Sequence, residues 1–85
     1  MKALDKEQLI MVERLAVDVG LYTHDIMAAA TASEDYSPSM LLMDVEQLRE
    51  SQRALGVVYA DDESLDYWEA KARGDITNEK QQGQQ

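Results

Sequence analysis

The stretch SPSMLLMDVEQLRESQRALG, residues 37–56, decides the fold of this chain. Ser37 offers a side-chain oxygen to cap a helix, and Pro38 follows in the first turn, where its missing N–H costs nothing. Tyr36, just before the cap, is placed to pack on Leu41. Leu41, Val45, Leu48, Gln52 and Leu55 then recur at alternating steps of four and three, a heptad-like seam with one polar member. Gly56 is the helix stop, and Val57 sits where an apolar contact back onto the last turn is common. The seam can pack on another helix of the same chain or on its own copy in a homodimer, where Gln52 would help set the register.

Upstream, Asp5 and Gln8 have the spacing of a capping box, with Leu4 and Leu9 flanking it as a staple. Leu9, Val12, Leu15, Ala16, Val19, Tyr22 and Ile26 follow mostly in steps of three or four, whereas Glu13, Arg14, Asp18 and Asp25 fall largely elsewhere. Ile10, Met11, Val17 and Leu21 widen the apolar surface beyond one stripe, so the helix is expected to touch more than one neighbour. The spacing runs through Gly20 without a change of phase, predicting one long helix over about residues 5–31 that Gly20 can bend. Residues 32–37 break the pattern as a loop.

Downstream, Val57-Val58-Tyr59-Ala60 has strand-like composition but nothing to pair with, and reads as an extended, packed connector. Asp61 or Asp62 caps a third helix in which Leu65, Trp68 and Ala72 share a face, and Gly74 is expected to close it. The tail from Asp75, ending in QQGQQ, has little apolar content and is expected to be disordered. These readings combine into an all-α fold: a small three-helix bundle over residues 1–74 with a long first helix, followed by a tail over 75–85.

Eighty-five residues make a small core, and with no cysteine a disulfide cannot support it, which leaves self-association or partner binding. The absence of cysteine and of an apolar leader at the N-terminus predicts a cytoplasmic protein. No apolar run approaches the roughly 20 residues of a membrane span. Seventeen acidic residues against eight basic ones give a net charge of -9, which argues against direct contact with nucleic acid or an anionic membrane. The acidity is densest at the start of the third helix, and residues 61–85 carry -4.

Catalytic and metal chemistry find little footing. His24 stands beside Asp25, but it is the only histidine, too few ligands for a metal site of that kind, so no metal and no cofactor is expected. None of the serines sits in a nucleophile elbow, and the four glycines are too scattered for a phosphate loop. The sequence therefore reads as a non-enzyme. Asp61, Asp62, Glu63, Asp66 and Glu69 form a run of five acids with no base between them, next to Tyr67 and Trp68. Helix capping explains Asp61 and Asp62, since acids in a first turn favour the positive end of the helix dipole. Trp68 reads first as a core residue, leaving Tyr67 as the exposed aromatic.

The expected partner-binding residues are thus Asp61, Asp62, Glu63, Asp66, Tyr67 and Glu69. Their expected target is a basic protein surface, such as one on a nucleic-acid-handling complex, with the chain acting as an inhibitor or regulatory subunit. The alternative is a self-associating structural protein whose acidity serves solubility, with Leu41, Val45, Leu48, Gln52 and Leu55 at the homodimer seam.

Overall fold

A computed structural model describes residues 5–83, with side chains described through residue 79. The fold is an all-α bundle of three helices: α1 Lys6–Ala30, α2 Pro38–Leu55 and α3 Asp62–Gly83. The capping box of α1 is present, with Gln8 N–H donating to Asp5 Oδ1 at 2.8 Å and Asp5 N–H donating to Gln8 Oε1 at 3.1 Å. The staple through Leu4 lies outside the described residues. Gly20 does not interrupt α1. The helix ends on Ala32, which takes a left-handed φ of 52°, and Ser33 N–H donates to the Ala28 carbonyl at 2.9 Å. At the end of α2, Gly56 takes φ 68°, the conformation a glycine adopts without the Cβ strain that Ala32 carries.

The central helix is α2, which packs along both α1 and α3. Its seam is spent inside the chain: Leu41, Val45 and Leu48 are fully buried and Gln52 nearly so, while Leu55 is half-buried. They join Tyr22 and Ala29 of α1 and Leu65 and Ala72 of α3 in one core, and Trp68 packs partly buried against it. The long dimension of 58 Å exceeds that of any one helix at about 1.5 Å per residue, so the helices are staggered. Side-chain pairs fix the register: Asp18 meets Ser51 on α1 and α2, while Arg49 meets Asp66 on α2 and α3. The first turns of α1 therefore project past the end of α2, which accounts for the exposure of Leu9, Ile10 and Val12.

Three expectations need correction. The expected stripe of α1 holds in part: Tyr22 is in the core and Leu15, Val19 and Ile26 pack on it, but Ala16 is exposed and Asp18 and Asp25, expected elsewhere, are buried beside them. Polar partners on α2 make that burial possible, as described below. The connector is less packed than expected, with Val57, Val58 and Tyr59 exposed and Ala60 alone packed on the core. Its shape is held instead by Gln52, whose Oε1 accepts the N–H groups of Tyr59 at 2.8 Å and Ala60 at 2.7 Å. This fixes a role for Gln52 inside the monomer. Finally, α3 does not stop at Gly74 but continues to Gly83. Asp75 anchors the continuation: Tyr36 Oη donates to its Oδ2 at 2.5 Å, and Lys71 Nζ lies 3.2 Å from the same oxygen. The last two residues, 84 and 85, lie outside the described region.

Candidate functional site

The acid-rich start of α3 is built from its cap outward. Asp61 Oδ1 accepts the N–H of Ser64 at 2.8 Å, and this bond holds the carboxyl below the usual aspartate range. Asp61 is thus a capping residue, with part of its acceptor capacity already used. Asp62 and Asp66, one turn apart, share a single cation from α2. Arg49 places Nη1 at 3.5 Å from Asp62 Oδ1 and Nη2 at 2.6 Å from Asp66 Oδ1. Glu69 is half-buried, with its Oε2 at 3.6 Å from Arg73 Nε one turn further along α3.

The run that has no base in sequence is therefore fringed by two guanidiniums in space, five carboxylates against two cations. Glu63 stands exposed, outside the ion pairs that either guanidinium makes among the described residues. Tyr67 is 62% exposed and rests edge-on against Trp68, with ring centroids 4.9 Å apart at 89°. An aromatic contact of this geometry contributes about 0.5–1.5 kcal/mol beyond area burial. It gives Tyr67 a fixed base, with its outer surface left to solvent. Asp62, Glu63, Asp66 and Tyr67 are thus exposed near one another along the first turns of α3, Asp62 and Asp66 at the edge shared with α2, while Asp61 serves the cap and Glu69 is half-buried.

A second cluster, which the sequence reading missed, lies between α1 and α2. Ser51 Oγ donates to Asp18 Oδ2 at 2.5 Å, so this buried carboxylate has a donor. One heptad further on, Asp25 and Asp44 face each other within hydrogen-bonding reach. Asp44 is 2% exposed, and its Oδ2 finds no donor among the described residues. Burial first, then the Asp25 carboxyl and the charge of Asp18, push Asp44 up to about 7. Two carboxyls meeting without a donor between them are satisfied when one keeps its proton. The available signal was spacing: Asp18 and Asp25, like Asp44 and Ser51, are seven residues apart, a core-facing interval on packed helices.

This second cluster is structural in placement. The cavities beside Arg14 and Glu50, beside Arg49 and Asp62, and beside His24 and Thr31 are not lined by Asp18, Asp25 or Asp44. Among the described residues no group of three or more potential ligands could hold a metal ion. His24, with its side chain 70% exposed, has Nδ1 at 3.3 Å from Asp25 Oδ1 and gathers no further ligand. No described helix is long and apolar enough to cross a membrane. Comparison with protein-family models, curated proteins and solved structures returns no match.

Proposed function

We propose that this chain is a non-catalytic, acidic helical binding module whose outer α3 face docks on a basic, nucleic-acid-binding surface of a partner protein, as an inhibitor or regulatory subunit. The observation that carries this reading is the grouping of Glu63, Asp62 and Asp66 around an exposed, buttressed Tyr67. Charges at the rim of an interface steer association, and a tyrosine at its centre supplies contact area with little rotamer entropy to lose. Arg49 sharpens the reading. Its pairs with Asp62 and Asp66 are exposed on the carboxylate side, so a partner's arginines can compete for those oxygens at small cost.

The test is affinity capture from nuclease-treated lysate, comparing the wild type with a Glu63→Lys, Asp66→Lys, Tyr67→Ala variant. The captured proteins should be basic nucleic-acid-binding proteins, released as salt rises and lost with the variant. Salt-indifferent capture of neutral or acidic proteins, or capture unchanged in the variant, would sink the proposal. Circular dichroism checks that the variant keeps its helices, as expected for exposed positions.

A further inference from the structure

We infer that a second copy of this chain docks on the side of the α1–α2 pair that α3 leaves uncovered. On α1, Ile10, Arg14, Val17 and Leu21 recur at steps of four, three and four. On α2, Met40, Met43, Gln47, Glu50 and Ala54 recur at steps of three and four, a second seam separate from the buried one. The two seams adjoin, because Arg14 and Met11 line one shallow cavity of about 180 Å³ together with Glu50, Ser51 and Ala54. Ile10 is exposed by the overhang of the first turns of α1, but overhang does not account for Val17 and Leu21. The register set by Asp18 and Ser51 places Val17 and Leu21 alongside α2, yet they are 60% and 43% exposed. Met40 and Met43 are exposed as well.

Two features select a copy of the same chain as the occupant. The first is charge. The chain carries -9, so its acidic surfaces repel a copy, but the cavity of this face is lined by one cation, Arg14, and one anion, Glu50, with Glu7 one step further up the α1 seam. Neither Arg14 nor Glu50 belongs to an ion pair among the described residues. In a two-fold interface each residue meets its complement twice, so an axis near the shared cavity sets each Arg14 across from the partner copy's Glu50. The second feature is shape. Paired seams with a period of 3.5 receive paired helices, giving a four-helix layer of two α1–α2 pairs with α3 outside. An 18-residue helix spans about 27 Å and two helices about 18 Å, a footprint on the order of 500 Å² before corrugation, which approaches the roughly 800 Å² per partner of a stable interface.

Sedimentation equilibrium of the full chain from about 1 to 300 µM tests this. The expected result is a monomer–dimer equilibrium. Arg14→Glu and Glu50→Arg should each weaken it at least about tenfold, because every substitution acts at two symmetric sites and sets like charges opposite one another. The double variant should return to within about threefold of the wild type. Val17→Glu should abolish dimerisation while Glu63→Lys, on α3, leaves it unchanged. All these positions are exposed, and circular dichroism verifies that the helices persist. A strict monomer over the whole range, a dimer indifferent to the single charge reversals, or a double variant that fails to recover would each overturn the inference.

Discussion

The two sides of α2 are held by different physics. Toward α3 it presents Leu41 and Val45 to Leu65 and Ala72, with the charged groups Arg49, Asp66, Glu46 and Arg73 kept at the solvent edge. Toward α1 the buried surface is mixed: Tyr22, Ala28 and Ala29 are buried beside Asp18, Ser51, Asp25 and Asp44, while Val17 and Leu21 face water. Apolar burial is favourable but weakly directional, whereas a buried polar layer is worth little net energy and strongly disfavours a slip in register. So α3 is attached mainly by apolar packing, while α1 adds to its own apolar packing a polar layer that specifies its register. A helix that buries its acids and exposes its valine and leucine is left with apolar surface for another molecule to cover, which is the physical basis of the dimer inferred above.

The largest expected effect lies on the apolar side. Leu65→Ala empties a fully buried site and should cost about 3 kcal/mol, read from urea unfolding. A cost below about 1 kcal/mol would mean that α3 contributes less to the core than its packing implies. On the polar side, Ser51→Ala removes the donor to the Asp18 carboxylate and should cost about 2 kcal/mol at neutral pH. Restoring most of that loss with Asp18→Asn in the Ser51→Ala background would identify the uncompensated charge as the cause.

Smaller again is the contact that ties the α1–α2 loop to the far end of α3. Tyr36→Phe removes the bond to Asp75 but keeps the ring under Lys71, and should cost about 1.5 kcal/mol. Its second readout is faster hydrogen exchange confined to α3 beyond Gly74. Uniform loss of protection along all three helices would contradict a local anchoring role. The same bond holds Asp75 below the usual aspartate range, so its contribution is present above the ordinary carboxylate pKa and is lost as pH falls through the lowered value.

The difference between the two interfaces also explains what could be read from the residues alone. Caps and apolar periodicity are local, so Asp5, Ser37, Pro38 and Gly56 placed α1 and α2 with nearly correct ends, and the Asp61-Asp62 pair placed the start of α3. The seam Leu41, Val45, Leu48 was legible for the same reason, but whether it faced helices of the same chain or a second copy was not. The α1–α2 polar layers were not legible, because Asp18 and Asp25 qualify for burial only once Ser51 and Asp44 are known to face them, and that pairing is long-range. The end of α3 was misplaced on similar grounds: Gly74 carries a local stop signal, and the tertiary bond from Tyr36 to Asp75 overrides it. In the candidate site, the acids and the exposed Tyr67 were readable, but the insertion of Arg49 between Asp62 and Asp66 was not.

That the polar layer fixing the register of α1 keeps a proton at Asp44 is tested most directly by the unfolding free energy as a function of pH for the wild type and Asp44→Asn. In the folded state Asp44 is raised to about 7 from its ordinary 3.8, so the folded chain binds this proton more tightly than the unfolded one. The stability it contributes is whole below about pH 4 and declines by about 1.4 kcal/mol per pH unit until the folded value near 7 is passed. Asp61 and Asp75 are lowered, and their contributions change below this window. Asn at position 44 supplies a permanent donor to Asp25, so the variant should show little slope between pH 4 and 7 and exceed the wild type by about 2 kcal/mol at pH 8. A wild type equally stable across that range, or a variant that follows the same slope, would contradict the account.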